Sequence, residues 1–128
     1  MLENYRFIQT KMPFATHPRG RTPGTFTDFD SLDDKSDDLY YYLQYVKFGF
    51  GRAVRDACRM IQNGQMKRGE AVELAHRYDG EFPEEHLEDV LDYLRVDRAE
   101  LERVIELHRN AELWDESNGE RRLRYPVV

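Results

Sequence analysis

The chain has 128 residues and a formal net charge of −6, with 25 acidic side chains against 19 basic ones. This length suits one domain with a single hydrophobic core, and the acidic excess argues against nucleic acid as the main partner. The single cysteine excludes an internal disulfide. No apolar run approaches the roughly 18–20 residues of a membrane-spanning helix, and the first residues lack the apolar core of a signal peptide. We therefore expect a cytoplasmic protein that binds no nucleic acid and does not insert into a membrane.

The first 36 residues differ in character from the rest of the chain. Pro13, Pro18 and Pro23 lie in this part, together with Gly20 and Gly24. Such clusters of proline and glycine mark turns and loops rather than regular secondary structure. We therefore predict an irregular N-terminal segment over residues 1–36 and a helical domain over residues 37–128.

From Asp37 onward, hydrophobic side chains recur with the period of a helix. Five successive stretches repeat the spacing i, i+3, i+4 and i+7, which lines one face of an amphipathic helix. This repetition predicts an all-α fold, a compact array of about five short amphipathic helices with a short C-terminal tail. The five stretches are Leu39, Tyr42, Leu43 and Val46; Val54, Ala57, Cys58 and Ile61; Ala71, Leu74, Ala75 and Tyr78; Leu87, Val90, Leu91 and Leu94; and Leu101, Val104, Ile105 and His108.

Signals for helix ends support this division of the chain. Asn63-Gly64 and Asp79-Gly80 are typical of helix C-termini, and Pro83 suits the first position of a helix. The short connections between the predicted helices favour an antiparallel bundle or an orthogonal array. The tail from residue 112 onward contains the only tryptophan, and we predict a short helix there followed by an extended end.

Two side chains on the apolar stripes are interpreted as packing residues. Cys58 lies on the stripe of the second predicted helix, where a thiol behaves as a small hydrophobic group. His108 ends the stripe of the fifth, and the four histidines show no spacing typical of zinc ligands. We predict a core position for Cys58, a partly buried position for His108, and no metal site.

The segment Gly49-Phe50-Gly51-Arg52 separates the first two predicted helices and has two interpretations. Free N–H groups at the start of a helix, with Lys47, Arg55 and Arg59 close by, suit a phosphate. Because the segment follows a helix rather than a strand, it is not a dinucleotide-binding fingerprint. A glycine elbow between two packed helices explains the same residues, and the spacing alone favours the elbow.

An acidic cluster precedes the first predicted helix and also has two interpretations. Carboxylates suit Mg²⁺ or the hydroxyl groups of a sugar, but aspartates also form turns and cap helices. We favour turn formation and capping. The cluster consists of Asp28, Asp30, Asp33, Asp34, Asp37 and Asp38.

Arginines and tyrosines supply two further hypotheses. Arg19 and Arg21, beside His17 in the Pro/Gly-rich loop, either clamp an anionic ligand through charge-assisted hydrogen bonds or lie in a solvated loop. The tyrosines at residues 40–42 and at residue 45 cover every face of the first predicted helix. We therefore expect that helix to be enclosed on several sides, by this domain or by a partner.

Motifs of a self-sufficient active site are missing from the sequence. It contains no Walker-type loop, no G-x-S-x-G and no H-E-x-x-H. We therefore predict no catalytic residue in this chain acting alone.

Several segments, taken in order, resemble a known family. They are similar to the C-terminal part of the N-acetyl sugar amidotransferases of lipopolysaccharide and related surface-glycan biosynthesis. The resemblance covers roughly residues 15–115 and is specific as an ordered set. The segments are GRTPGTFT (20–27), SLDDK (31–35), YVKFGFGRA (45–53), IQNG (61–64), RGEA (68–71) and YDGEFP (78–83).

The resemblance implies one domain of an ATP-dependent enzyme of the PP-loop pyrophosphatase type. Such enzymes replace the acetamido oxygen of a sugar with nitrogen, giving an acetamidino group, and use ammonia from a glutaminase subunit, often beside a cyclase-like subunit. Their ATP site contains a loop of the SGGxDS type, and no Ser-Gly-Gly occurs in this sequence. We therefore expect no cofactor bound by this chain alone, with ATP and Mg²⁺ held in the complete enzyme by a PP-loop domain supplied in cis or in trans.

The resemblance also implies candidate residues for a substrate or nucleotide cleft. The basic members suit phosphate oxygens, and the acidic members suit Mg²⁺ or sugar hydroxyl groups. The candidates are Arg21, Thr25, Ser31, Asp33, Asp34, Lys35, Lys47, Gly49, Gly51 and Arg52.

A second interpretation of the whole chain is a non-catalytic helical module. Such a module docks on other subunits and has no substrate of its own. The two interpretations predict different outcomes when a PP-loop domain is supplied: turnover in the first case and binding without turnover in the second.

Overall fold

A computed structural model describes residues 1–117 and 119–126 of the chain. Within these residues, helices precede a small antiparallel hairpin, which confirms the mainly helical fold class. The elements are α1 (Leu2–Gln9), α2 (Asp37–Phe48), α3 (Arg52–Gln62), α4 (Arg68–Tyr78), α5 (Leu87–Leu94), α6 (Arg98–Leu107), β1 (Trp114–Ser117) and β2 (Glu120–Leu123).

The main hydrophobic core lies between α2, α5 and α6. The predicted stripes on these three helices supply most of its side chains, because burying one apolar face per helix removes the largest area from water. Tyr42, Phe82 and Val96 pack against its edge. The buried members are Leu39, Val46, Leu87, Val90, Leu91, Leu101 and Ile105.

The helices α3 and α4 pack against each other through alanines. Ala53 and Ala57 of α3 are buried, as are Ala71 and Ala75 of α4. Small side chains let two helix backbones approach closely, so this pair forms a second layer with little apolar volume between its axes.

The buried face of α3 differs from the predicted one. Cys58 and Ile61 are both exposed, so the predicted core position of Cys58 is wrong. Relative to the prediction, the helix is rotated about its axis. Its inner face includes two charged side chains, Arg52 and Asp56, and a prediction based only on hydrophobic residues does not include them. The side chains that α3 buries are Arg52, Ala53, Asp56, Ala57 and Met60.

His108 is also misplaced by the prediction. It is exposed and caps the C-terminus of α6, beyond the last helical residue, Leu107. The helix buries only Leu101 and Ile105. One turn fewer than predicted faces the core, which leaves the imidazole in solvent.

The N-terminal segment contains one helix that its composition did not indicate. Helix α1 has no buried residue and contacts the irregular segment through Tyr5, whose ring stacks on Phe29 at a centroid distance of 4.2 Å. Residues 10–36 form turns and bends without helix or strand, as predicted.

The C-terminal tail forms a hairpin rather than the predicted short helix. Trp114 pairs with Leu123 in an antiparallel register, and the sequence Asn118-Gly119 between the strands is a typical hairpin signal that the helical interpretation overlooked. The buried Trp114 ring donates its Nε1–H to the Val46 carbonyl oxygen at 2.7 Å. The extended end expected at Val127 and Val128 lies outside the described residues.

The helices show no candidate for a bilayer span. None of those within residues 1–117 and 119–126 combines the length and the apolar character that crossing a membrane requires.

We expect Leu101→Ala to lower the free energy of unfolding by about 2–5 kcal/mol, because it removes a core side chain and leaves a cavity. Leu107→Ala is the matched control on the same helix, since Leu101 is 6% exposed and Leu107 is 68% exposed. The control should change stability by no more than about 0.5 kcal/mol. Urea unfolding followed by circular dichroism measures both, and equal losses would contradict this placement of the core.

Candidate functional site

Residues 17–28 form a loop that closes on itself through backbone hydrogen bonds. The His17 N–H donates to the Asp28 carbonyl at 2.7 Å, and the Thr22 N–H donates to the Thr27 carbonyl at 3.0 Å. These bonds bring the ends of the Pro/Gly-rich stretch together, so the loop presents its side chains to the helices as one unit.

Arg21 ties this loop to the turn that follows α4. Its guanidinium donates to both carboxylate oxygens of Glu81, at 2.6 Å and 2.7 Å, and lies over the Tyr78 ring at 4.8 Å. The Gly24 N–H donates to the same carboxylate at 2.8 Å. The hydrogen bond from Arg21 lowers the pKa of the Glu81 carboxyl, although partial burial opposes this shift.

Thr25 and Asp56 join the loop to α3 in the interior of the protein. Both side chains are fully buried. The Thr25 hydroxyl donates to Asp56 Oδ2 at 2.8 Å, and the Thr27 hydroxyl donates to the same oxygen at 3.3 Å. Arg55 Nε donates to the other oxygen, Oδ1, at 3.1 Å. The buried carboxylate therefore has a partner on each of its oxygens, as a charge out of water requires.

Arg52 is the second charged group buried on α3. It donates to the Asp30 carbonyl oxygen at 2.5 Å and to Asp38 Oδ1 at 3.3 Å, and its guanidinium lies over the Tyr41 ring at 4.8 Å. Burial raises the pKa of the Asp38 carboxyl, and the nearby Arg52 opposes that shift. We call this set the buried polar cluster: Thr25, Thr27, Asp30, Asp38, Arg52 and Asp56.

The N-terminus of α3 is occupied by a carboxylate of the protein itself. Asp79 accepts from the Gly51 N–H at 2.9 Å and from the Val54 N–H at 3.3 Å. Burial raises the pKa of the Asp79 carboxyl, while the backbone N–H groups of α3 oppose the shift. The N–H groups that a phosphate needs are therefore already satisfied, and the structure supports the glycine elbow.

Both glycines of the elbow have a geometric reason. Gly49 caps α2 in the left-handed conformation, with φ of 77°, a region that L side chains rarely adopt. A Cβ atom on Gly51 would lie 2.8 Å from Asp79 Oδ1. The G-x-G pattern therefore provides the turn and the close approach of Asp79 to the helix end.

The acidic residues before α2 act as turn and pairing groups. Asp34 accepts from the Ser36 N–H at 2.8 Å and from its hydroxyl at 2.7 Å, and Asp30 accepts from Arg55 Nη2 at 2.8 Å. Residues 1–117 and 119–126 contain no group of three His, Cys, Asp or Glu side chains arranged to hold a metal ion. These contacts support turn formation for Asp34 and ion pairing for Asp30.

The remaining predicted cleft residues fall into separate groups. Ser31, Asp34 and Lys35 line a small cavity of about 40 Å³ together with His17, Thr22, Leu32, Asp38 and His86. Lys35 also pairs with Asp89 at 2.5 Å. Asp33 is exposed, and Lys47 lines a different cavity with exposed aromatic residues. The structure therefore does not gather all ten predicted residues around one cleft, and their role in binding stays a prediction.

The structure adds partners that the sequence interpretation missed. Asp56 and Asp79 each join a helix to a distant part of the chain, and Glu81 binds Arg21. A signal for Asp56 existed: residues 52, 53, 56, 57 and 60 share one helical face once charged side chains are counted. No comparable local signal exists for Asp79, because its partners lie 28 and 25 residues away.

These observations define a mainly helical domain in which a buried polar cluster joins the irregular segment to α2 and α3. A family model described as "LPS biosynthesis protein WbpG-like, C-terminal domain" matches residues 23–125. The chain belongs to this family of lipopolysaccharide biosynthesis proteins, which confirms the family resemblance carried by the sequence segments. Comparison with curated proteins gives no significant match.

We expect Arg52→Ala to lower the free energy of unfolding by about 3–5 kcal/mol, because it leaves buried acceptors without their cation. Arg59→Ala is the control on the same helix, where the side chain is exposed, and should cost no more than about 0.5 kcal/mol. Urea unfolding of the two variants measures the difference. A stable Arg52→Ala variant would show that the buried cluster does not hold the loop.

We expect the stability advantage of the wild type over Glu81→Gln to depend on pH. The pKa of Glu81 is lowered in the folded state, so its contribution is complete above the unfolded value of about 4.3 and disappears as the pH falls through the lower folded value. Urea midpoints for both proteins should differ at neutral pH and converge in acid. A constant difference across this range would exclude the Arg21–Glu81 pair as its source.

Proposed function

We propose that this chain is the C-terminal helical domain of an ATP-dependent N-acetyl sugar amidotransferase. The complete enzyme would convert a sugar acetamido group to an acetamidino group in surface-glycan biosynthesis. The family match over residues 23–125 is the observation that carries this proposal. A cytoplasmic location follows from the proposed use of ATP and glutamine.

The contacts between the resembling segments support the proposal. GRTPGTFT meets YDGEFP through Arg21 and Glu81, and the glycine elbow meets YDGEFP through Gly51 and Asp79. Segments that lie far apart in sequence thus contact one another at defined atoms. These contacts show that the segments belong to one folded unit, as expected for a domain of a single family.

The same contacts support a division of labour with another domain. The Arg21 guanidinium is paired with Glu81, Arg52 is buried among its own acceptors, and the α3 N-terminus is occupied by Asp79. These residues do not fit a nucleotide phosphate in this arrangement. We therefore propose that a PP-loop domain binds ATP and Mg²⁺, that a glutaminase subunit supplies ammonia, and that a cyclase-like subunit accompanies them.

Within this proposal, the predicted cleft residues take two kinds of role. Thr25, Gly51 and Arg52 are buried and hold the loop and the elbow in place. Lys35 and Lys47 are exposed and are able to reach a ligand or a partner domain. The chemistry needs an activated acetamido oxygen and its displacement by ammonia, and no described residue of this chain is assigned to either step.

A specific observation also favours the alternative, a non-catalytic interaction module. Tyr40, Phe48 and Phe50 are exposed although they are large aromatic residues. Contiguous exposed apolar surface is typical of protein–protein contact sites. The alternative shares this surface with the proposed enzyme, and turnover in the assembled system distinguishes the two.

The test is reconstitution of the amidination reaction. The chain is combined with a PP-loop domain of the family, a glutaminase, ATP, Mg²⁺ and a panel of nucleotide-linked N-acetyl sugars. With glutamine labelled at the amide nitrogen, mass spectrometry should find the label in the sugar product. We expect product only when this chain is present.

Two controls make the result decisive. In the first control, this chain is omitted, and product formation should stop. In the second, the chain is present and ammonium salt replaces glutamine, and product should still form. Binding of the PP-loop domain without labelled product from any sugar would contradict the enzymatic proposal and favour the interaction module.

A further inference from the structure

An apolar groove lies along the outer side of α2 and the elbow that follows it. Its cavity measures about 510 Å³. Its walls are mainly apolar, with two cations among them. We call it the α2 groove, lined by Tyr40, Leu43, Gln44, Lys47, Phe48, Phe50 and Arg55.

One side of α2 is left uncovered by this domain. Leu39 and Val46 face inward and are buried, whereas Tyr40 is 61% exposed and Phe48 is 52% exposed. Elsewhere the domain itself covers α2, because Tyr42 packs on Phe82, Tyr45 packs on Trp114 and Tyr41 lies beside Arg52. The expected enclosure on several sides is therefore met, except along the side of Tyr40 and Phe48. Large exposed apolar side chains gathered in one groove indicate a surface that a partner covers.

The two aromatic residues of the segment KFGFGR, Phe48 and Phe50, are exposed rather than packed in the core. Gly49, Gly51 and Arg52 are explained by the elbow, by Asp79 and by the buried polar cluster. Phe48 and Phe50 instead lie side by side at the surface, with ring centroids 6.2 Å apart and an interplanar angle of 29°. Rigid aromatic side chains lose little conformational entropy when a partner covers them, so they suit an interface.

The charge of the groove distinguishes between partners. Arg55 is neutralised by Asp30 and Asp56. Lys47 lies over the Phe48 ring at 5.3 Å, and no carboxylate of residues 1–117 or 119–126 forms an ion pair with it. A second copy docked around a two-fold axis would bring the same positive groove against itself, so a partner with carboxylates around an apolar centre fits better.

We propose that the α2 groove docks the ATP-binding portion that accompanies this domain in the complete enzyme, an inference that rests on the proposed function. The chain belongs to a family described as a C-terminal domain, so a further portion of such proteins is available as the occupant. Docking at the groove places Lys47 at the contact between the two portions, next to the elbow that leads into Arg52. The ligand cleft would then lie between the two portions rather than within this one.

Paired substitutions test the groove against an equally exposed aromatic elsewhere. Phe50→Glu places a charge in the groove, and Tyr93→Glu is the control on α5, where Tyr93 is 81% exposed and lies outside the groove. The affinity of each 128-residue chain for a separately expressed ATP-binding portion of the family is measured by calorimetry. We expect at least about a tenfold loss for Phe50→Glu and less than about a twofold change for Tyr93→Glu.

A charge reversal tests the polarity of the partner. Lys47→Glu should weaken binding most at low ionic strength, because screening reduces the effect of exposed charges as salt is added. Circular dichroism of every variant should match the wild type, since the three substituted side chains are exposed. Equal affinities for Phe50→Glu and Tyr93→Glu, or no binding by the wild type, would overturn the proposed docking site.

Two further outcomes separate this inference from its alternatives. A concentration-dependent dimer that Phe50→Glu abolishes, seen by analytical ultracentrifugation, would assign the groove to a second copy instead. Measured binding at the groove without amidination in the reconstituted system would leave the docking site standing and remove the proposed reaction. Amidination that Phe50→Glu leaves unchanged, together with unchanged affinity, would keep the reaction and remove the docking site.

Discussion

Arg52 and Asp56 lie one turn apart on α3, and both are almost completely buried. A charge removed from water destabilises the fold unless hydrogen-bond partners replace the lost solvent. Within α3, only Arg55 contributes a hydrogen bond to these two charges, which goes to Asp56. Their other hydrogen-bond partners lie in residues 25–38. The irregular segment is therefore fixed against α3 by the hydrogen bonds that it makes to these two buried charges.

The same constraint shapes what the domain is able to bind. Asp79 satisfies the N-terminus of α3 and Glu81 satisfies Arg21, so the groups best suited to a phosphate already have internal partners. The domain therefore keeps these groups paired internally and leaves other cations, such as Lys47, at its surface. This agrees with our proposal that the ATP chemistry of the complete enzyme lies in another part.

Helix α2 connects the interior to the surface proposed for docking. Its inner side chains belong to the main core, and Tyr41 lies beside both Arg52 and Arg55. Its outer side carries the apolar groove, which ends at the elbow in front of α3. A partner bound in this groove would therefore contact α2, the helix that the buried polar cluster holds in place through Asp38.

Sequence periodicity by itself determined α2, α4, α5 and α6 closely, because apolar side chains repeating every turn have one stable arrangement, with that face buried. The motif segments by themselves also identified the family. The rotation of α3, the exposed Cys58 and the partners of Asp79 were decided only by tertiary structure. Burying a charge depends on partners contributed by distant segments, such as the Thr25 hydroxyl for Asp56 and the Asp30 carbonyl oxygen for Arg52. The spacing of residues within one helix does not predict which distant segments will contact it. Only the tertiary structure therefore shows which charged side chains are buried.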